Sequence, residues 1–536
     1  MTEKFNTALF DGQISRRQVL WGLASAGLGA AVLSQFGGVA FAASEGGTLT
    51  ANMKDPPNFD IIGNSTSWVI LTLGPCYNGL ITNNPEKPDE LIGELADSWE
   101  VSADGKLVTF KLHDKVQFHD GMPFTSADVK HTFDLVRNPP EGTASIRQSS
   151  LSAIDRIETP DKLTVEFHLK RPQPSFLPLL ATGWMVVMPK HILERDGNMQ
   201  KEVIGTGPFK FKDYQRGVRL DLVRNDSYFQ ADRPRLDGIT YFVAEDPSTL
   251  DAYFQTGQIL FYNEMSSDSG LRFEKDTEHG LKVQRVVALN PTAITLNGRK
   301  APLDDKRVRQ AISYAIDRNE AIKLLEQGQA QIGGFIPPGR YALPQDKLLQ
   351  MPGYGAEVEQ NQEKARKLLA EAGHPNGLKL RMLVRKNINH EERAVMVQGQ
   401  LARVGIEVAL DVQESAMFFD NFNAANFDLV SQGGIAYPVN DPDVVFGSIH
   451  TSGPANISGV TNAELDKLFE EQALETDVAK RTAIAHRMEE IALDECSRIV
   501  LFYQNKFVGH SAKVSGYVAT GNPDDSSRMA NVALTA

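Results

Sequence analysis

The chain has only two cysteines, eleven histidines and no surplus of basic side chains in its 536 residues. Each shortage removes a class of function. The formal net charge of −13 disfavours nucleic acid and anionic membrane surfaces as partners, because both require a basic face. No pair of histidines stands at i, i+4 beside a glutamate, as a helical zinc protease site needs. His113 and His119 lie near one another on a predicted strand and loop. They read either as two ligands lacking a third or as plain surface histidines, so no metal and no cofactor is expected. There is no G-x-S-x-G elbow and no Walker lysine. The run Gly205-Thr206-Gly207-Pro208-Phe209 leads into a strand, so no helix N-terminus follows to receive phosphate. Carboxylate pairs abound, as in any acidic chain, and none is specific. Beyond the N-terminus no apolar run approaches the roughly 20 residues of a spanning helix. We find no internal repeat and no low-complexity segment.

What is present begins at the N-terminus. Arg16 and Arg17 precede a Gly/Ala-rich apolar stretch that ends in Ala40-Phe41-Ala42, the small-residue pattern of a signal-peptidase site. The paired arginines predict a twin-arginine signal over residues 1–42, export of a folded protein, and a periplasmic destination. An N-terminal membrane anchor is the alternative, which the glycines and polar breaks disfavour. No cysteine stands at the cleavage point to carry a lipid. Cys76 and Cys496 both remain in the mature part, and the sequence leaves open whether they pair or stay as buried thiols.

The mature chain changes texture along its length. Its first half is rich in period-two strands, such as those in Lys106–His113 and Lys162–Lys170. Between these two strands a helix is announced by a Thr125/Asp128 capping box. Residues 205–225 predict two strands joined at Arg216-Gly217. From about residue 290 onward helices alternate with strands. Asp304 or Asp305 caps a helix that carries Val308, Ile312, Ala315 and Ile316 on one stripe. Helices ending at Gly373 and Gly405 each lead into a strand, and Thr461/Glu464 predicts another capping box. Such helix–Gly–strand units argue for an α/β architecture. Trp68, Tyr77, Trp184 and Tyr437 fall in turn-rich segments, where rings either line a cleft or pack in the core.

Six stretches together resemble one family. They are 93–133, 205–229, 303–322, 363–380, 400–410 and 459–472, in the order that family has them. The family is that of the extracytoplasmic solute-binding proteins of ABC importers, in the group that includes oligopeptide, dipeptide and nickel binders. The resemblance implies a two-lobed α/β periplasmic-binding-protein fold with an additional subdomain and a hinge between the lobes. Lobe I would comprise 45–86, 200–290 and 497–536, the subdomain 87–199, and lobe II 291–496. It implies a monomer that encloses a peptide or other small solute and delivers it to the permease subunits. His119 and Asp120 would then belong to turn chemistry. An exported enzyme is the competing class, and a receptor that feeds a sensor is a third.

The loop 431–445 carries the question of specificity. Pro438 and Pro442 exclude a helix interior and a central strand there. In peptide-binding relatives, the resemblance implies, an aspartate of this loop holds the peptide's amino group. Alignment on Asp441-Pro442 puts Pro438 at that position, and alignment on Tyr437 puts Ala436 there; neither carries charge. Either Asp441 substitutes, or the solute is an opine, an amino-acid conjugate or a sugar-like molecule. Asp441 and Asp443 alternatively cap a helix beginning at Val444. The expected ligand-contacting residues are Asn58, Asp60, Tyr77, Asn78, Gln432, Gly433, Gly434, Tyr437 and Asp441. Arg385, at the end of a predicted strand, joins them as a partner for a ligand carboxylate or stays a solvated arginine.

Overall fold

Two exceptionally long strands hold the molecule together in the computed structural model. Leu281–Leu296 and Arg498–Ser511 run antiparallel, and every other strand of an 11-stranded sheet is arranged on one side of this pair or the other. The structure describes residues 46–63, 66–85, 87–139, 145, 147–355, 357–432, 437–447, 449–451, 456–522 and 528–535. The predicted signal segment 1–42 lies outside them.

On one side of the pair, Arg498–Ser511 bonds Phe261–Met265, followed by Thr48–Met53, Gly238–Val243, Arg219–Arg224 and Phe209–Gln215. On the other, Leu281–Leu296 bonds Leu429–Gln432, which lies parallel to Leu378–Arg385, and that strand parallel to Ile406–Gln413. The register of the long pair breaks between Val287 and Pro291 and again between Thr292 and Ala293. Such irregularities bend a ladder locally. They fall where the strand passes from one set of neighbours to the other.

Each side has its own core. Leu49, Ala51, Ile239, Tyr241 and Phe261 belong to one apolar cluster. Ile294, Leu296, Met382, Val384, Ile406 and Val408 belong to a second, with the helices Lys306–Ala315 and Val358–Glu371. The stripe Val308, Ile312, Ala315, Ile316 is buried there as its spacing predicts. Asp305, rather than Asp304, is the cap, accepting from Arg307 N. Near the C-terminus the helix Ala463–Leu474 departs from expectation. Its cap is Asn462, which accepts from Glu464 N and Leu465 N, and not Thr461. Asparagine caps at least as well as threonine, and the helix starts one residue later.

A separate four-stranded antiparallel sheet, Ala96–Val101, Leu107–Leu112, Thr164–Leu169 and Ile154–Asp161, packs against the helix Ser126–Arg137. Phe110, Phe133 and Phe176 each meet Phe167 edge to face, with centroids 5.4–5.7 Å apart. The capping box forms: Thr125 N donates to Asp128 Oδ2 at 2.9 Å. Cys76 and Cys496 are both free and buried, the second of the two alternatives. Burial pushes the Cys496 thiol up to about 12, and its Sγ donates to Leu493 O at 3.0 Å. Neither thiol is ready to ionise and react.

Two of the stretches singled out in the sequence turn out to dock on each other. His119 N donates to Gly205 O at 2.8 Å, Gly205 N donates to His119 Nδ1 at 3.3 Å, and Nε2 lies 3.0 Å from Gly207 O. The ring is therefore neutral, with its proton on Nε2. Gly205 and Gly207 press on the backbone of Cys76 and Tyr77 so closely that a Cβ on either would collide with it. His119 is thus a half-buried clamp and not a free surface histidine, and Asp120 accepts from Met122 N in the adjoining turn at 3.1 Å. Burial lowers the His119 pKa to about 4. A histidine kept neutral by folding contributes stability that is present above pH 6.5 and is lost as pH falls toward 4. Acidification across that window should cost up to about 3 kcal/mol from this residue. Denaturant titrations at pH 7 and pH 4.5 check this. His119→Gln should be less stable at pH 7 and show a shallower loss on acidification.

Candidate functional site

A cavity of about 360 Å³ opens beside the long strands, and its walls come from distant parts of the chain. Asn83, Leu91 and Pro178 contribute from the strand-rich first half, Leu289 from the long strand, and Thr520, Gly521 and Asn522 from near the C-terminus. The opposite wall is built by Pro338–Tyr341 and by Pro438–Asp441. Prolines, glycines and a tyrosine beside a few polar groups make a mixed surface of the kind that binds small molecules.

The questioned loop is thus in the wall. Beyond the strand residues Ser431 and Gln432 it is described again from Tyr437; Gly433, Gly434 and Ala436 lie outside the described residues, as does the side chain of Gln432. The Gln432 backbone closes the Leu429–Gln432 strand against Ala293. Tyr437 is buried to 1% exposure under the cavity, and its hydroxyl accepts from Arg498 Nη1 at 3.1 Å. Pro438 O accepts from Asn522 Nδ2 at 2.8 Å, a direct bond between facing walls.

Asp441 reaches the cavity wall but is not a free anion. Arg481 grips it with two bonds, Nη2 to Oδ1 at 2.6 Å and Nη1 to Oδ2 at 2.9 Å, with both side chains at least nine-tenths buried. Oδ1 also accepts from Asp443 N at 2.8 Å, at the start of the helix Pro442–Gly447. That helix begins at Pro442, two residues before the expected Val444, with proline at its first position. Arg481 also donates to Tyr341 Oη at 3.1 Å and to Gln472 Oε1 at 2.8 Å. Gln472 Nε2 bonds Asp443 Oδ1 at 3.3 Å, and Ser175 Oγ donates to Asp443 Oδ2 at 2.6 Å. One buried chain of side chains therefore runs from Ser175, in the strand-rich half, through Asp443, Gln472 and Arg481 to Asp441 and Tyr341. A ligand ammonium at Asp441 would have to compete with a buried bidentate guanidinium.

The other expected contact residues are placed elsewhere. Asn58 Oδ1 accepts from Asp60 N at 2.9 Å, and Asp60 accepts from Gly63 N at 3.2 Å, which makes the pair a turn. Tyr77 and Asn78 are fully buried. Asn78 donates to Glu94 Oε1 at 2.6 Å and accepts from Thr206 Oγ1 at 3.1 Å. Glu94 is paired with Arg528 at 3.0 Å. None of these four residues lines the cavity. Trp68, Trp184, Tyr77 and Tyr437 are all packed inside, and Arg147 stacks on Trp184 at 3.5 Å.

Arg385 is half-buried at the C-terminal end of Leu378–Arg385, with its guanidinium 5.9 Å from the Phe419 ring centroid. Just beyond it the helix Ile388–Ala402 begins, and Arg385 and Arg393 of this region give it positive potential. Arg393 is 7% exposed and donates to His390 Nδ1 at 3.3 Å, while its Nε has no hydrogen-bond partner among the described residues. Burial and the two arginines lower the His390 pKa to about 4, so the ring is neutral at pH 7. A parallel-strand terminus, a helix N-terminus and two arginines form an anion-favouring edge. Sequence reasoning named Arg385 and did not name Arg393, Tyr341 or Arg481; the last two depend on partners 40 or more residues away.

Among the described residues, the only group of carboxylate and imidazole side chains spaced to hold a metal is Glu158, Glu166 and His168, on the face of the four-stranded sheet. His113 is not part of it. Arg156 already bonds Glu158 at 2.8 Å, so the group reads as surface ion pairing.

The sequence profile described as bacterial extracellular solute-binding proteins, family 5 (Middle), matches residues 90–456. The oligopeptide-binding protein AppA of Bacillus subtilis is 28% identical over 459 residues, covering 80% of this chain and 82% of that protein. The glutathione-binding protein GsiB of Pectobacterium atrosepticum is 31% identical over 344 residues, 63% of this chain and 64% of its own. Among solved structures, the periplasmic binding protein DppA of Helicobacter pylori, in complex with the peptide STSA, superposes with a TM-score of 0.74 at 24% identity. It covers 92% of this chain and 99% of that one.

The Arg481 network makes a stability prediction. Removing one member of a buried ion pair strands the other, at about 3–5 kcal/mol. Arg481→Met should lower the denaturation midpoint accordingly, and adding Asp441→Leu should restore much of the loss, because an apolar pair no longer buries a lone charge. Chemical denaturation of the single and double variants measures both.

Proposed function

The chain belongs to the bacterial extracellular solute-binding proteins of family 5, and we propose that it captures peptides outside the cytoplasmic membrane and delivers them to the permease of an ABC importer. The observation that carries this reading is the cavity walled from both sides of the long strand pair. Residues 45–86, 200–290 and 497–536 form lobe I in this reading, 291–496 lobe II, and 87–199 the added subdomain. The lobes close over the solute by bending at the two crossing strands. Twin-arginine export places the receptor in the periplasm, where it acts as a monomer and not as an enzyme. Among the described residues no helix is long and apolar enough to cross a membrane. The names carried by the relatives AppA and GsiB favour a peptide over an opine, a conjugate or a sugar-like solute.

Arg385 takes the peptide's terminal carboxylate in this account, with Arg393 and the helix N-terminus lending positive potential. The amino end is received by polar and backbone groups of the wall, since Asp441 is occupied by Arg481. Calorimetric titration of tripeptide free acids against their C-terminal amides tests the arrangement. The free acid should bind at least tenfold more tightly, because a charge-assisted bidentate pair contributes about 1.5–3 kcal/mol. Arg385→Ala should remove most of that difference without moving the melting temperature by more than a few degrees. Equal binding of acid and amide would refute the role of Arg385, and no binding of either would refute the peptide reading.

A further inference from the structure

The segment 333–343 supplies Pro338–Tyr341 to the cavity, yet side chains hold most of its backbone. Tyr354 donates to Gly333 O at 3.1 Å, and Tyr503 donates to Gly334 O and Phe335 O, both at 3.0 Å. Ile336 N donates to Glu489 Oε1 at 2.9 Å and Leu343 N to Glu489 Oε2 at 2.8 Å. A single carboxylate thus joins the two ends of the loop. Gly334 lies so close above it that a Cβ there would collide with Oε1. Glu489 has no exposed surface, and no cation pairs with it among the described residues. Its helix, Val478–Glu495, also carries Arg481, which holds Tyr341 and Asp441. One helix therefore fixes both loops of this cavity wall.

We propose that Glu489 is a positioning residue for solute binding, its buried carboxylate setting where Pro338–Tyr341 stand in the cleft. The proposal rests on the reading of this cavity as the solute site. The groups facing Glu489 are the phenols of Tyr354, Tyr437 and Tyr503. Arg318 lies over the Tyr354 ring, Arg498 bonds Tyr437, and His486, on the same helix, bonds the Ala342 backbone. None of these supplies a neutralising contact to the carboxylate. Burial accordingly raises Glu489 from 4.5 to about 7 against the pull of the backbone donors. For an acid with a raised pKa, the closed loop is favoured below pH 4.5 and loses that advantage as pH rises through 7. Local opening of 336–343 should therefore increase by up to tenfold per pH unit between about 4.5 and 7, then level off.

Hydrogen–deuterium exchange of the full mature chain, corrected for intrinsic rates, reads this without any ligand. Wild type should show the rising opening profile in 336–343. Glu489→Gln should exchange there without that pH dependence, and it should retain at least tenfold less of a pool of free-acid tripeptides. Glu489→Asp keeps the charge but is too short to span both amides; it should open the loop more and keep the pH profile. It also serves if the glutamine variant does not fold. Matching exchange profiles and equal tripeptide retention across wild type and variants would overturn the proposal. If wild type itself retains no tripeptide, the peptide reading fails, while the exchange data still decide the role of Glu489.

Discussion

Everything in this architecture depends on the hydrogen-bonded pair formed by Leu281–Leu296 and Arg498–Ser511. A strand that long must satisfy its backbone groups along its whole length, and these two do so chiefly against each other, each taking a further neighbour at its C-terminal end, Leu429–Gln432 for the first and Phe261–Met265 for the second. The register breaks between Val287 and Ala293 sit where the neighbours change. That position makes the pair both the covalent bridge between two cores and the place where a bend costs fewest regular bonds. The cavity follows from it, because the walls 338–341 and 438–441 face Asn83, Pro178 and 520–522 across this bridge.

The cavity wall uses buried charge sparingly and always with a structural partner. Asp441 is matched by Arg481, and behind it Asp443 is matched by Ser175 and Gln472. Removing one member of such a pair is costly, which rigidifies the loops that carry them. The charges left over are of the other kind. Arg393 Nε has no partner among the described residues, and Arg385 is only half-buried near an aromatic ring. Cationic groups of this kind, at the end of a strand and the start of a helix, favour an anion. Distant surface charge contributes little to that recognition once salt screens it.

Much of the fold was legible in the sequence because local signals and tertiary environment agree. The Thr125/Asp128 box, the stripe from Val308 to Ile316 and the helix–Gly–strand units all reappear as read. Thr461 was misread because Asn462, next to it, is an equally good cap. The site was less legible. Tyr77 and Asn78 have the composition of a binding turn, but Gly205 and Gly207 bring another backbone onto them and bury both. Asp441 looked available since its partner stands 40 residues away on a helix whose sequence gives no hint of direction. Glu489 did leave a trace: it occupies the stripe of Ala485, Met488 and Ala492, where an apolar residue would be expected. A glutamate in such a stripe needs a buried partner, and the sequence does not say that it is a loop backbone.

The account's central claim is that the cleft was shaped to enclose peptides. Mass spectrometry of small molecules released by denaturing the protein, purified under native conditions from periplasm, tests it most directly. Short peptides with free carboxyl ends, enriched over the surrounding extract, are the predicted result. A single co-purifying sugar, opine or conjugate, with no peptide present, would contradict it.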